Sequence, residues 1–551
     1  MWSSGDRPTG HARSTRSVVL GRNGVIATSQ PLASAAGLRV MQEGGSAIDA
    51  AVTAAAVLAV VEPTMTGIGG DVFAIVYDAR TRTLRGLNSS GRAGAKADAG
   101  VLIRQGMALM PGDGVYPITV PGAVAGWAEL LEQHGTISFA RALEPAIHYA
   151  RNGFPVSEII ADQWQYAAPR LRDPAAAAVF LPGGRPPAAG EIFRNPDLAA
   201  TLEQLAAGGR DAMYRGRIGL AIATDLERRG AFLTPADFAA HRADWVDPIT
   251  TSYRGYDVYE LPPNTQGFVA LEMLNLLEGY DVKALGHNSG GYLHRLAEAK
   301  RIAFADRAAY LADPAFVPAA TLATLISKDY AVRRRREIDD SRAAAAYQPA
   351  SVQRGGDEPL SPASFDARDR GDTVYLAAAD GQGNAISFIN SLFSEFGSGI
   401  VATGTGVVLH NRGAGFSLSP NHPNRLAPGK RPLHTLVPAF LMKNGRPLMS
   451  FGVMGGDNQA QAHVQIVVNV VDFGMNVQEA GDAARVRHGE EGLAVESGIP
   501  AAALRALQQR GHRLIDGRGA MGGYQAVMID AGNGVLMGGS DPRKDGLAIG
   551  W

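Results

Sequence analysis

The chain has 551 residues, and its 52 basic and 53 acidic residues leave a formal net charge of −1. This balance excludes a global basic field of the kind that attracts nucleic acid or an anionic membrane, so neither is expected as a partner. The lack of cysteine excludes disulfides, thiolate nucleophiles and Cys-based metal sites, and the 12 histidines show no HExxH or comparable spacing, so no metal or other cofactor is expected.

The N-terminal stretch, 1–24, is polar and dotted with arginine, and it lacks the apolar run of a secretory signal. The longest apolar stretch, 48–61, is interrupted by Asp49 and is too short to cross about 30 Å of hydrocarbon. A cytoplasmic location is therefore expected.

The first part of the chain is predicted to mix helices and strands. Residues 34–61 are rich in alanine and predict two helices, broken at Gly44-Gly45, because a glycine pair suits a helix C-terminus. The run DVFAIVYD at 71–78 predicts a buried strand. Further along, 271–277 and 292–311 predict helices.

A change of character follows in the second part of the chain. Residues 339–372 are rich in Ala, Ser, Pro, Gly and charged residues without an apolar period, which predicts an exposed, mobile segment. These residues alone leave open whether the segment is an interdomain linker. The pattern then favours strands, predicted at 373–379, 385–392, 406–410, 437–441 and 447–453.

Two of these strands are predicted to form a hairpin that brings two hydroxyl groups together. The glycine-bearing loop 380–384 can reverse the chain, and a hairpin centred on Gln382 places Thr373 opposite Ser391. Threonine at a strand start is commonly there for its β-propensity, so the pairing alone does not indicate catalysis. Gly455-Gly456 alone likewise suits a tight turn.

Several motifs, taken together and in order, resemble the γ-glutamyltranspeptidase family. The stretch from Thr373, with FGSGI at 396–400, resembles the start of the small subunit of these enzymes. The other matching blocks are EGGSAIDAAV (43–52), GIGG (67–70), VPGAVAG (120–126), LPPN (261–264), GKRPL (429–433), Gly455-Gly456 and NVVDFGMN (469–476). Each block is weak evidence alone, and their shared order is strong evidence.

The resemblance implies an α/β fold, the four-layer αββα sandwich of N-terminal-nucleophile hydrolases. It also implies self-cleavage between Asp372 and Thr373 into a large chain (1–372) and a small chain (373–551) that stay together as one heterodimeric unit. Thr373 is then the nucleophile, Ser391 orients its hydroxyl, and Gly455-Gly456 forms the oxyanion hole.

The chemistry of such a site is intelligible from the residue types. A threonine hydroxyl is a poor nucleophile and needs an adjacent base. If cleavage makes Thr373 a chain terminus, its α-amino group, with an unperturbed pKa of about 7.7–8.0, can serve as that base. The family resemblance implies a glutathione-hydrolase-like amidohydrolase or acyltransferase acting on a small-molecule amide.

The residues that bind the α-carboxylate of a γ-glutamyl group in the family differ here. Ser90 stands at the position of an arginine, and Arg92, two residues on, is a candidate substitute. His434 and Thr435 occupy the place of a serine pair after the Arg-Pro-Leu block.

The residues that bind the α-ammonium group in the family differ as well. Phe393, Arg412 and Gly415 stand where the family has Asn, Gln and Asp, and none of the three suits an ammonium group. Arg412 and His434 instead suit a carboxylate, which arginine can bind through two hydrogen bonds. The alternatives are a structural role of Arg412 in a turn and a satisfied buried imidazole for His434.

This pattern indicates an acyl group that bears an acid but no α-amine, as in the oxamate amidohydrolase and cephalosporin-type acylase branches. Two further hypotheses are a catalytically inactive homologue with a binding role and an unrelated α/β enzyme or binding module. The retention of Thr373, Ser391 and Gly455-Gly456 argues against the inactive homologue.

Overall fold

The structure, a computed structural model, describes residues 16–351 and 372–551, and only the backbone of Asp372. The strands are β1 (Val19–Gly21), β2 (Gly24–Thr28), β3 (Asp71–Asp78), β4 (Thr83–Ser89), β5 (Phe154–Pro155), β6 (Ile192–Phe193), β7 (Asp244–Val246), β8 (Ile249–Tyr253), β9 (Tyr256–Glu260), β10 (Asp372–Asp380), β11 (Ala385–Phe393), β12 (Val401–Ala402), β13 (Val407–Val408), β14 (Ala439–Lys443), β15 (Arg446–Val453), β16 (Val486–Gly489), β17 (Gly492–Val495), β18 (Leu514–Asp516), β19 (Tyr524–Asp530), β20 (Val535–Ser540) and β21 (Leu547–Gly550).

The helices are α1 (Pro31–Gln42), α2 (Ala47–Val61), α3 (Ala99–Arg104), α4 (Ala123–His134), α5 (Phe139–Asn152), α6 (Glu158–Ala167), α7 (Pro174–Phe180), α8 (Pro196–Tyr214), α9 (Arg217–Arg228), α10 (Pro235–Ala239), α11 (Gly267–Leu277), α12 (Val282–Leu285), α13 (Gly290–Tyr310), α14 (Ala319–Leu325), α15 (Lys328–Arg335), α16 (Asn458–Val471), α17 (Val477–Asp482) and α18 (Ala501–Gln509). No helix in these described ranges is long and apolar enough to cross a membrane.

Two antiparallel sheets form the centre of the described molecule. The first sheet has the strand order β21-β2-β10-β11-β3-β4-β7, and the second sheet has the order β1-β20-β19-β15-β14-β9-β8. Both sheets contain strands from before and after residue 372, and β10 lies between β2 and β11. The two predicted chains are therefore interleaved in a single structural unit.

Three buried apolar clusters define the layers. One lies between the sheets, where Phe73 and Ile389 of the first sheet pack with Phe440 of the second. A second cluster joins the first sheet to helices that include α2 and α5, and a third joins the second sheet to α11, α13 and α16. The predicted four-layer αββα sandwich is confirmed.

Helix α2 explains why the alanine-rich stretch at 47–61 is central to the fold. Every residue of α2 is buried, as expected for a helix that is apolar on all sides. Ser46 caps its first turn in a capping box with Asp49, and α1 ends at Gln42 just before Gly44, whose φ is +97°. The predicted break at Gly44-Gly45 is confirmed.

The predicted hairpin register is also confirmed. Val374 pairs with Asn390 and Ala379 with Ala385, which is the register centred on Gln382. An irregularity follows at the open end of the hairpin, where Asp372 pairs with Phe393.

Other predicted elements are shifted or shorter. The strand predicted at 406–410 is reduced to Val407–Val408, and beyond it the N–H of His410 bonds to the carbonyl of Gly69 instead of continuing the ladder with β12. The strand predicted at 437–441 forms two residues later, at Ala439–Lys443.

The first part of the segment predicted to be mobile has no helix or strand at 339–351. It nevertheless contacts the large helix α13, since the Tyr347 hydroxyl donates to Glu298 and the Ala350 N–H donates to Asp306. The remainder of the predicted segment, up to residue 371, lies outside the described residues.

Candidate active site

Three polar residues form a row across neighbouring strands of the first sheet. Thr373 is the second residue of β10, and its hydroxyl donates a 3.0 Å hydrogen bond to Ser391 Oγ on β11. Ser391 pairs in turn with Asp71 on β3. Because paired residues of antiparallel strands point to the same face, all three side chains lie on one side of the sheet.

The backbone around Ser391 fixes the position of its hydroxyl. Ser391 Oγ also accepts a 2.8 Å hydrogen bond from the N–H of Phe393. Phe393 has a φ of +81°, which a bulky residue rarely adopts. Such strained backbone is characteristic of functional sites, and here it turns the N–H toward the Ser391 hydroxyl.

Asp372 and Thr373 belong to the same strand, β10. Thr373 is buried.

The two glycines predicted to form an oxyanion hole lie between β15 and α16. Their φ values are +122° for Gly455 and +55° for Gly456, a conformation that favours glycine. Within the described ranges, no hydrogen bond uses the N–H of either residue. These N–H groups can therefore donate to a developing oxyanion.

Packing between the sheets brings this glycine turn to the Thr373 end of β10. Ser387 lies on β11, four residues before Ser391, and its hydroxyl donates to the carbonyl of Phe451 on β15. Two residues nearer the open end of the hairpin, the Tyr375 ring packs against Gly452. A Cβ atom on residue 452 would lie 2.4 Å from that ring. Gly455 follows three residues after Gly452, in the direction that leads toward the open end of the hairpin.

Gln266 joins the glycine turn to the pocket beside it. Its side-chain amide donates to the carbonyl oxygens of Gly456, at 3.1 Å, and Thr435, at 2.8 Å. Gln266 is completely buried, at the start of α11, directly after the LPPN block. Sequence reasoning missed this residue, although its place after a recognised motif was a signal.

Arg412 is a buried cation that contacts Thr435 and Phe393. Its side chain is buried, its Nη1 donates to Thr435 Oγ1 at 3.1 Å, and its Cζ lies 4.1 Å from the ring centroid of Phe393. Its Nε and Nη2 have no hydrogen-bond partner among the described residues. These two N–H groups form one edge of the guanidinium, which matches the two oxygens of a carboxylate.

Burial lowers the pKa of Arg412 to about 9, and nearby Asp71 opposes this shift. The guanidinium is therefore charged at neutral pH. A buried charged group with two unused donors is costly unless a ligand satisfies them.

Asp71 is a buried carboxylate that sequence reasoning missed. Its Oδ2 lies 3.0 Å from His410 Nδ1 and 3.1 Å from His434 Nε2, and its Oδ1 accepts the N–H of Gly91. Burial alone raises the pKa of Asp71, but His410 and His434 hold it well below its usual range. The aspartate that directly follows GIGG and opens an apolar strand was the signal in the sequence.

His434 does not contact the pocket in the predicted way. Its Nε2 bonds to Asp71, and its Nδ1 lies 3.3 Å from the N–H of Leu436, so both ring nitrogens are used within the protein. Burial, with the nearby Arg412 charge, lowers the pKa of His434 to about 3, so the ring is neutral. A direct contact with a substrate carboxylate is not supported; His434 is a satisfied buried imidazole beside Thr435.

Arg92 and Ser90 lie apart from Arg412. Arg92 is partly exposed and forms ion pairs with Asp244, at 3.7 Å, and Asp313, at 3.5 Å. The Ser90 hydroxyl donates to Asn88 at 2.7 Å. The structure thus brings Phe393, Arg412 and Thr435 together and leaves Arg92 engaged with two acids.

Comparisons with known proteins identify the family of the chain. A family model described as gamma-glutamyltranspeptidase matches residues 33–551. The chain belongs to the γ-glutamyltranspeptidase family.

Its relatives within the γ-glutamyltranspeptidase family carry several different names. The glutathione hydrolase-like YwrD proenzyme of Bacillus subtilis is 40% identical, over 97% of this chain and 99% of its own length. The oxamate amidohydrolase proenzyme of Klebsiella pneumoniae is 34% identical, over 96% of this chain and 98% of its own length. The crystal structure of cephalosporin acylase from Bacillus halodurans superposes with a TM-score of 0.90 and 41% identity, covering 98% of both chains.

One group of side chains in this γ-glutamyltranspeptidase-family chain has metal-ligand chemistry. Within the described ranges, His294, Glu298 and His512 place ligand atoms within 4.8 Å of one another, which the sequence spacing did not predict. His294 bonds to His512 at 2.8 Å and to the carbonyl of Asp339 at 2.8 Å, and Glu298 accepts from Tyr347. These bonds satisfy the group without a metal, and it has no contact with the Thr373 row.

Ser391→Ala should slow both chain cleavage and catalysis by about 5- to 150-fold. The change removes the acceptor of the Thr373 hydroxyl and leaves the buried N–H of Phe393 unpaired, a loss of about 1–3 kcal/mol. Rates of band conversion and of substrate turnover measure the two steps. Ser391→Thr, which keeps the hydroxyl on a β-favouring residue, is the control, and equal activity of the alanine variant would contradict the assigned role.

Proposed function

We propose that this enzyme is a self-processing amide hydrolase that acts through a Thr373 acyl-enzyme on acyl groups bearing a second carboxylate. The observation that carries the proposal is the Thr373 hydroxyl bonded to Ser391 at the end of β10, beside a glycine turn with unused N–H groups. Membership of the γ-glutamyltranspeptidase family supports it.

In the proposed maturation, Thr373 Oγ attacks the carbonyl carbon of Asp372. The peptide C–N bond breaks as the ester forms, and the proton of the hydroxyl passes to the new α-amino group. Water then hydrolyses the ester, giving the C-terminal carboxylate of Asp372 and restoring the Thr373 hydroxyl.

In the proposed catalytic cycle, the freed α-amino group of Thr373 removes the proton from Oγ as Oγ attacks the substrate amide. The N–H groups of Gly455 and Gly456 stabilise the oxyanion, and the protonated amine leaves. Water hydrolyses the resulting ester; an amine that takes its place completes acyl transfer.

The acyl specificity is proposed from Arg412. Its free Nε–Nη2 edge suits the far carboxylate of a diacid monoamide, and the neighbouring Phe393 ring offers no acceptor for an α-ammonium group. The names oxamate amidohydrolase and cephalosporin acylase among similar proteins are compatible with such acyl groups.

Trapping of the acyl-enzyme tests this function. Purified protein should release p-nitroaniline from glutaryl-p-nitroanilide, and acid quenching during turnover should leave the small chain heavier by one glutaryl group. Intact-mass spectrometry measures that increase. If the protein hydrolyses neither glutaryl amides nor γ-glutamyl amides, the proposal is contradicted and an inactive homologue is favoured.

A further inference from the structure

Asp71 is a buried anion that has no role in the proposed chemistry. It has no exposed surface, and it pairs with Ser391, the partner of the nucleophile. Isolated buried carboxylates are costly, so this one requires compensation from its neighbours.

The compensation comes from two loops that are far apart in the sequence. His410 follows β13, His434 precedes β14, and both approach Asp71 Oδ2, at 3.0 and 3.1 Å. His410 is held on its other side by the carbonyl of Thr119, 2.8 Å from its Nε2. Asp71 therefore joins the two loops that also carry Arg412 and Thr435.

The distance from Asp71 to Arg412 is informative. Arg412 Nε lies 3.8 Å from Asp71 Oδ2, which is too long for a hydrogen bond but short enough for electrostatic attraction. His410 and His434 both approach Oδ2 of Asp71. The Asp71 carboxylate therefore provides a counter-charge to the Arg412 guanidinium without a hydrogen bond to its Nε–Nη2 edge.

Asp71 also acts on Arg412 through His434. The Asp71–His434 bond holds the residue next to Thr435, whose hydroxyl accepts from Arg412 Nη1. Loss of the carboxylate would remove both the counter-charge and the support for this hydroxyl.

We propose that Asp71 is the positioning residue of the acyl-carboxylate site: it keeps Arg412 charged and oriented without occupying the edge that receives the substrate. This role rests on the proposed function, since it matters only if Arg412 binds the acyl carboxylate.

Asp71→Asn tests the role with two substrates that differ at one end. Glutaryl-p-nitroanilide carries the far carboxylate, and pentanoyl-p-nitroanilide has a methyl group in its place. The variant should raise KM for the glutaryl compound by about 10-fold or more and change KM for the pentanoyl compound by less than about 2-fold, because only the first needs Arg412. Asp78→Asn, at the other end of β3, is the matched control and should change neither value.

A second variant keeps the test decisive if Asp71→Asn does not fold. His434→Phe retains a ring of similar shape but removes the N–H that bonds to Asp71, and it should raise KM selectively for the glutaryl compound.

The outcomes separate this role from the proposed function. If Arg412→Gln removes the preference for glutaryl over pentanoyl while both Asp71→Asn and His434→Phe preserve it, the positioning role is wrong and the proposed function stands. If the wild type has no such preference, the carboxylate site itself is wrong. An equal loss of activity toward both substrates would overturn the positioning role in favour of a general structural one.

Discussion

Thr373→Ala should remain a single uncut chain and lose activity by on the order of 10⁴-fold or more. The hydroxyl of Thr373 is proposed to perform both the cleavage at Asp372 and the attack on substrate, so its removal stops two steps at once. In the structure it donates to Ser391 Oγ at the start of β10.

Denaturing electrophoresis and amide hydrolysis measure the two losses. Thr373→Ser keeps a hydroxyl at the same place and should still cut itself and retain part of the activity. Normal maturation of Thr373→Ala would show that another group performs the cleavage, and normal hydrolysis would remove Thr373 as the nucleophile.

Glutaryl-p-nitroanilide should be cleaved with a higher kcat/KM than γ-glutamyl-p-nitroanilide, by about 30- to 1,000-fold. The two compounds differ only in the α-amino group, so their ratio isolates the cost of placing an ammonium group beside Arg412. With water excluded, an unpaired ammonium near a buried guanidinium should cost roughly 2–4 kcal/mol. Arg412 is buried and has two free donors, which favour an anion.

Variants of the pocket sharpen this comparison. Arg412→Gln combined with Gly415→Asp should shift preference toward the γ-glutamyl compound, by removing the cation and adding an acid. A Cβ at residue 415 would lie 3.1 Å from the carbonyl of Leu433, so the single change Arg412→Gln should be measured beside the double one. Arg92→Gln is the control for charge, since Arg92 is already paired with two acids. A wild type that prefers the γ-glutamyl compound would contradict this account of the pocket.

Local patterns were enough to predict the central hairpin. The run of β-favouring residues on both sides of a glycine-bearing loop determines the pairing of Val374 with Asn390, and with it the meeting of Thr373 and Ser391. The helix break at Gly44-Gly45 follows from equally local chemistry. The strand predicted at 406–410 was too long, because the N–H of His410 bonds to the carbonyl of Gly69 in another loop.

The counter-ion of the pocket could not be predicted in this way. Asp71, His410 and His434 are far apart in sequence and meet only because the loops after β13 and before β14 fold over the end of β3. Their contact also reversed the interpretation of His434, whose nitrogens are used inside the protein. The residue types of Arg412 and His434 suggested that both bind a carboxylate. Only the packing shows that Arg412 is the one with N–H groups that lack a hydrogen-bond partner among the described residues.

The most direct test of the central claim is the mass and terminal sequence of the purified protein. Self-cleavage before Thr373 predicts two fragments, 1–372 and 373–551, which stay together under native conditions because both sheets contain hydrogen-bonded strands from both fragments. The smaller fragment should begin with Thr373. A fragment that begins elsewhere, or a fully active single chain, would contradict the claim.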